Sequence, residues 1–481
     1  MKQKTSECPF ALFRVEKENV LGPNDRAGIY GGPKQPLASR RQDEGKRGED
    51  KITHTGIKTP QRAGVLIFHE LVFGKASGKS ALLLMFFMKT AIDPWLLNQN
   101  YYHGYLSKDD LPSLLYSDGD FLVRCTEGSK QKAREVIVSV LYDPGGKSKT
   151  ADAEGRMEAI RNAVVQTSVD NDQTLYYFDS RAKFPSIEGL LLHHTEKPII
   201  INEDEVLLRR GVRLAKWEYL PTAVQVGKLT GTGSLGEIRK GKLTRRDGHV
   251  VDVSVRMMKG RSELCKQQGR ELVRQARLLR DLCHPNVLRF YGVCLLEQPI
   301  FVISELVSGG ALDVYLLEHK STVDREEKMQ MMASASWGIA FLHSNDILIR
   351  DVAAKNCLYT TNKMVKISEF IWSRRGTTYT LKSTKKGTTK VDAFIKWMAP
   401  ESVRTYIFTR KTDVYSYGVL IYEIFASEEP YAKLSNFAAK EAIMSGELNT
   451  FPKDVPSQLT DYVKRKIWDM DPDRRATMDE K

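Results

Sequence analysis

The chain predicts an α+β protein of two ordered units in series: a small sheet flanked by helices, then a larger unit that passes from strands to helices. Three observations carry that prediction. The runs FLVR (Phe121–Arg124) and EVIVSVLY (Glu135–Tyr142) have strand character and lie between two helix-like stretches, YYHGYLSKDDLPSLL and FPSIEGLLLHH. A glycine-rich turn, TGTGSLGEI (Thr230–Ile238), leads into two further strand-like runs, VDVSVRMM and QPIFVISEL. Beyond Gly310 the pattern becomes helical, over Asp324–His343, Thr412–Phe425 and Leu459–Asp469.

Residues 1–94 are expected to be a poorly ordered basic region. They hold sixteen Lys and Arg against ten Asp and Glu, and Arg40–Asp50 (RRQDEGKRGED) is almost entirely charged. The apolar run Ala81–Met88 is far shorter than the roughly 20 residues that span a bilayer; it reads as a short buried helix or a membrane-surface contact. GKASGKS (Gly74–Ser80) falls short of a phosphate-binding loop, because Phe73 stands where that pattern needs Gly. From Tyr101 an aromatic strand enters an amphipathic helix with Leu111, Leu114 and Leu115 on one face. Asp143–Gly155 is rich in Gly, Lys and Asp and is expected as a solvated insertion. LYYF is a further strand, and a helix starts after Pro185. The first ordered unit spans 95–212, a linker 213–224, and the second unit 225–481. Within the latter, Leu272, Ala276, Leu279 and Cys283 recur at steps of four, three and four, marking the inner face of a helix.

A length of 481 residues exceeds what one core supports. The net charge of +13 is spread along the chain with no basic stripe interleaved with aromatics. That pattern argues against nucleic acid and leaves phosphopeptides or an anionic membrane surface as partners. Six cysteines with no C-x-x-C pair fit free thiols in a reducing compartment. Met1–Pro36 lacks the apolar core of a signal peptide. The expectation is a cytoplasmic protein without a transmembrane segment, with recruitment to the plasma membrane as an open option.

YHG, FLVR, IVSVLY and FPSIEGLL stand in the order and spacing of a phosphotyrosine-binding (SH2) domain, which this stretch resembles. The implied fold is a central antiparallel sheet with two flanking helices, and the implied partners are phosphotyrosine-containing proteins. Such a site needs a buried cation with a planar fork to meet a phosphate dianion, which Arg supplies and Lys does not. Arg124 occupies that position. The resemblance also implies a capping hydroxyl from Thr126 and a cation on the first helix, here Lys108 where the family usually has Arg. Asn162 stands where most members have His.

Residues 225–481 resemble a protein kinase catalytic domain of the tyrosine-specific type, through TGTGSLGEI, IRDVAAKN (Ile349–Asn356), FIKWMAPES and TDVYSYGVLIYEIF. With the upstream unit, the chain resembles the Fes/Fer-type cytoplasmic tyrosine kinases, particularly their nematode branch. That resemblance implies a bilobal fold, ATP and Mg²⁺. Gly231, Gly233 and Gly236 would let the backbone approach the phosphates. Ile238 and Leu358 would enclose adenine, and Glu305 and Val307 would offer it backbone groups. Asp351 would be the base for the substrate hydroxyl, with Lys355 beside it, and Asn356 and Glu369 the metal ligands.

Several family positions are altered. Arg256 replaces the strand lysine, Gln275 the helix glutamate, Glu369 and Ile371 the Asp and Gly of Asp-Phe-Gly, and Ile349 the His of His-Arg-Asp. Arg256 and Gln275 lie at the two ends of one family ion pair, so that pair is expected to be lost, with Glu271 as an alternative partner for Arg256. Glu369 is one methylene longer than Asp, and Mg²⁺ tolerates little departure from octahedral geometry. Ile371 is expected to resist the backbone angles open to Gly. Tyr379 resembles an autophosphorylation site and reads equally well as an exposed loop residue. Glu401 and Arg475 resemble a structural ion pair, as Asp413 resembles a structural acid. The family fold continues past Arg475 by one helix, so the lobe is expected to be cut short.

Two functions remain open: a phosphotyrosine-binding scaffold whose kinase fold binds ATP but transfers phosphate poorly, and an active non-receptor tyrosine kinase. A third, a broken product, predicts insolubility.

Overall fold

The structure, a computed structural model, describes residues 93–126, 134–233, 235–258, 263–381 and 390–479. All lie within one contact unit, Ala91–Lys481. The basic segment before Asp93, with its apolar run and near-miss phosphate loop, is outside the described residues.

In the first module β1 (Asp120–Cys125), β2 (Val136–Leu141) and β3 (Ile160–Val164) form an antiparallel meander. Two hairpins follow, β4 (Gln166–Asp170) with β5 (Gln173–Tyr177) and β6 (Ile199–Ile201) with β7 (Asp204–Val206). β8 (Arg210–Gly211) returns parallel to β1. Strand alternation sorts the side chains onto two faces. Phe121, Val123, Val138, Val140 and Ala163 pack against Ile187 and Leu191 of the Ile187–Glu196 helix. Leu122, Leu141 and Ile160 pack against Leu106, Leu111, Leu114 and Leu115 on the opposite face. Ser186 caps the Ile187–Glu196 helix by accepting from Gly189 N at 3.0 Å.

Two local expectations change. The first helical segment is a short 3₁₀ turn, Lys108–Ser113, with Pro112 inside it. The stretch 143–155 is partly folded rather than a solvated loop: Asp143 accepts from Lys147 N and Ser148 N, and Asp152 caps the Ala153–Ala159 helix. Aspartates that read as solvating charge act there as turn and cap acceptors.

The second module opens with a five-stranded antiparallel sheet: β9 (Val224–Gly233), β10 (Gly236–Thr244), β11 (Val250–Met257), β12 (Phe290–Cys294) and β13 (Phe301–Glu305), in the order β12-β13-β11-β10-β9. The Glu263–Leu279 helix lies on it and buries Leu272, Ala276 and Leu279. Cys283, expected on the same face, is exposed beyond the helix end. Pro285 follows closely, and the residue before a proline disfavours helix. The helical lobe is built around the Arg410–Ala426 helix, buried without a break from Thr412 to Ala426. The predicted Leu459–Asp469 helix is split into Ser457–Tyr462 and a π-helical turn, Val463–Ile467.

The two modules share a packed seam. Val273 and Ala276 of the Glu263–Leu279 helix enter one apolar cluster with Leu106, Leu111, Leu115, Val293 and Leu295. Arg277 grips Asp110 with two bonds of 2.7 and 3.0 Å, and Asp109 at 3.1 Å. Gly104 has φ +56°, and a Cβ there would lie 2.1 Å from Leu295 O, so only glycine fits the contact. The stretch 213–224 is part of the seam: Tyr219 N donates to Val293 O and Val293 N to Trp217 O, both at 2.8 Å.

Candidate functional site

The first site follows from strand phase. Arg124 lies on the same side of β1 as Leu122, and Ser139 and Asn162 are direct cross-strand partners on β2 and β3. The three side chains meet: Arg124 Nε donates to Ser139 Oγ at 2.9 Å, Arg124 Nη2 to Asn162 Oδ1 at 3.1 Å, and Ser139 Oγ to Asn162 Oδ1 at 2.7 Å. Arg124 is buried, and burial lowers its guanidinium below the usual range. Among the described residues no carboxylate is paired with it. Its partners are neutral acceptors, which orient the fork without cancelling its charge. Thr126 Oγ1 accepts from Glu135 N at 3.1 Å, at the strand end. Lys108 is exposed at the start of the Lys108–Ser113 turn. Ser139 was not foreseen; the one polar residue in an otherwise apolar strand was its signal.

The second site lies under the glycine turn. Register places Gly231, Ile238 and Arg256 opposite one another across β9, β10 and β11. Gly236 has φ +103°, and a Cβ there would lie 2.3 Å from Met257 O, so the turn requires glycine. At Gly231 a Cβ would meet nothing within 4 Å. Glu305 ends β13, and its carboxylate accepts from Arg289 N at 2.7 Å and pairs with Lys366 at 2.9 Å. Val307 follows it. Leu358, on a short strand, Cys357–Tyr359, bridges to Ala311.

The catalytic-loop segment is held from below. Asp413 accepts from Ile349 N and Arg350 N, each at 2.8 Å, and faces His343 Nε2 at 3.0 Å. These bonds stabilise Arg350 at φ +72°, which is strained for a side-chain-bearing residue. Ile349 is buried in the helical-lobe core, consistent with an apolar residue in the histidine's place. Asp351 Oδ1 has no hydrogen-bond partner among the described residues, and burial raises the carboxyl above the usual aspartate range. Asn356 Nδ2 donates to Asp351 O at 2.9 Å, and Lys355 lies over the Trp397 ring at 3.9 Å.

Arg256 and Glu369 are brought together: Arg256 Nη1 lies 3.2 Å from Glu369 Oε2 and 3.4 Å from Oε1. Gln275, buried and with its amide turned to satisfy both neighbours, donates to Glu369 Oε1 at 3.2 Å and accepts from Ile371 N at 3.3 Å. The family ion pair is therefore moved rather than simply lost. Glu271 does not rescue it, because it is bonded to Arg274 at 3.0 Å. Arg274 in turn donates to the carbonyls of Phe370, Ile371 and Ser373. Ile371 fits without strain: it is not among the positive-φ residues, and it packs with Leu235, Met258 and Leu272.

Tyr379 is half-buried rather than exposed, with the Arg350 guanidinium 4.0 Å from its ring centre and Arg374 at 5.6 Å. Burial, and then Arg374, bring Arg350 down to about 10. Arg475 forms a fork with both oxygens of Glu401, at 2.5 and 2.8 Å. The Asp110–Arg277 clasp was missed from sequence; its only trace there is the acidic pair before an apolar pattern.

The profile of the protein tyrosine and serine/threonine kinase family matches residues 224–480. The tyrosine-protein kinase transforming protein Fps of avian sarcoma virus is 32% identical over 385 residues, 79% of this chain and 66% of the relative. Human tyrosine-protein kinase Fer is 31% identical over 390 residues, 80% and 43% of the two chains. Spermatocyte protein spe-8 of Caenorhabditis briggsae is 31% identical over 329 residues, 68% and 58%. The chain thus spans between 43% and 66% of these relatives' lengths. Among the described residues no helix is long and apolar enough to cross a membrane.

Proposed function

The chain belongs to the protein tyrosine and serine/threonine kinase family, and we propose that within it this protein is a cytoplasmic phosphotyrosine-binding scaffold whose kinase fold binds nucleotide but transfers phosphate poorly. The observation that carries the proposal is Arg124: a buried guanidinium oriented by Ser139 and Asn162, with no acidic partner among the described residues. A charge held this way loses hydration on folding, and a phosphate dianion compensates that loss through charge-assisted hydrogen bonds. The first module acts as an SH2 domain in this reading, with Thr126 and Lys108 as accessory contacts.

The kinase module supports the second half. Kinases of this family typically use ATP and Mg²⁺, and phosphoryl transfer depends on positioning and charge neutralisation. The glycine turn, Ile238, Val307 and Leu358 would hold the nucleotide. Arg256, however, is paired with Glu369, and Gln275 has no charge to align it. One lost electrostatic contact commonly costs ~10²–10³ in rate.

The second reading, an active tyrosine kinase, is favoured by the intact Arg350–Asp351–Asn356 segment and its Asp413 anchor. Two measurements separate the readings. A phosphotyrosine peptide should bind the whole chain and lose binding with Arg124→Ala. Labelled phosphate transfer to a tyrosine polymer should be near background for wild type and rise with Arg256→Lys, Gln275→Glu and Glu369→Asp together. Wild-type transfer equal to that of the triple variant sinks the scaffold reading.

A further inference from the structure

We infer that the nucleotide pocket takes a polyphosphate without a divalent cation, using the Arg256 guanidinium as its resident counter-charge. The inference rests on the reading that this pocket binds nucleotide.

The expected metal ligands are Glu369 and Asn356, and Glu369 as arranged does not fit a metal. Glu369 Oε1 is met by Phe370 N at 3.2 Å, by Arg256 at 3.4 Å and by the Gln275 amide at 3.2 Å. Glu369 Oε2 is met by Arg256 at 3.2 Å. Magnesium would have to displace a guanidinium and find near-octahedral oxygen ligands at about 2.0–2.1 Å. Asn356, whose amide nitrogen is used on Asp351 O, keeps its Oδ1 for a metal, so the misfit lies at Glu369.

The charge balance agrees. The family pattern that this chain resembles has a charged glutamate at the Gln275 position. Here Gln275 is neutral; Arg256 is paired with Glu369, and Lys355 acts on Asp351. With one negative charge fewer, the pocket repels a polyphosphate less before any cation is added.

Arg256 is also placed for the task. Its register with Ile238 and Gly231 sets it on the row under the glycine turn. Among the described residues only Nη1 reaches Glu369, at 3.2 and 3.4 Å, and both side chains are 23% exposed. Such a pair is long and partly solvated, hence weak. The remaining donors suit a phosphate group, which guanidinium binds in bidentate fashion.

The test is titration of the whole chain with a fluorescent N-methylanthraniloyl-ATP, once with Mg²⁺ and once with EDTA. The expected Kd agrees within roughly threefold between the two, since the resident cation is covalent. Arg256→Gln should weaken binding by roughly tenfold or more in both buffers, and Glu369→Gln should tighten it in EDTA by releasing Arg256. Circular dichroism melts check the folding of each variant; if Arg256→Gln does not fold, the buffer comparison and Glu369→Gln still decide. Binding that needs Mg²⁺ overturns the inference while leaving the nucleotide reading intact. No binding in either buffer overturns the nucleotide reading itself.

Discussion

Arg124 and Arg256 both project from sheet strands, and the proposed function gives each a phosphate to meet, yet they are answered differently. Arg124 bonds to a hydroxyl and an amide oxygen. Arg256 bonds to a carboxylate held by a buried amide. Neutral acceptors steer a guanidinium and leave its charge in place, so a dianion gains the full interaction. A partly exposed carboxylate at 3.2 Å offsets part of that charge, so a ligand shares the guanidinium with it. The difference teaches that the partner on a guanidinium, neutral or charged, decides how much of its charge is left for a ligand.

Four experiments break or sharpen this contrast. The largest effect is expected from Arg124→Ala, which removes two charge-assisted anchors and should lower phosphopeptide affinity by about 100-fold or more; calorimetric titration measures it, and an unchanged affinity ends the comparison. Next is Gln275→Glu, which places a buried carboxylate beside the partly exposed one of Glu369, where the Gln275 amide now lies 3.2 Å from it. It should cost about 1–3 kcal/mol in urea denaturation, and adding Glu369→Gln should return most of the loss in a double-mutant cycle. Third, Asn162→Asp gives Arg124 the kind of partner Arg256 has, and phosphopeptide affinity should fall by about tenfold with folding preserved.

The smallest effect is a pH dependence at the seam. His103 is fully buried, with Nδ1 at 2.9 Å from Glu218 Oε2 and Nε2 at 2.9 Å from Val212 O. Both ring nitrogens face acceptors, so both must donate. Burial alone would lower its pKa, but the Glu218 bond and charge and the Val212 carbonyl outweigh it, and the pKa is raised. A folded value above the unfolded one of about 6.5 gives stability that is complete below that pH and lost as pH rises through the folded value. Urea denaturation across that window should show the decline, and His103→Gln should flatten it.

Much of this architecture was readable in one dimension. The apolar, β-branched runs FLVR and EVIVSVLY marked the strands, and the buried place of Arg124 was implied by the resemblance to an SH2 domain. The glycine turn, the catalytic-loop segment and the altered positions were visible as residue identities. Where local reading failed, side chains had changed the backbone's options: Asp143 and Asp152 folded the expected loop, and the helix stopped short of Cys283 ahead of Pro285.

Partners were another matter. Arg256 meets Glu369 from 113 residues away, and Arg277 meets Asp110 from 167. Periodicity tells which face of an element a side chain occupies, and composition tells which chemistry it carries. Neither tells which distant segment packs against that face, since that depends on how whole elements dock. Strand, helix and substituted residue were thus properties of the string, whereas the relocation of the ion pair from Gln275 to Glu369 came into being only when three separate segments closed on one another.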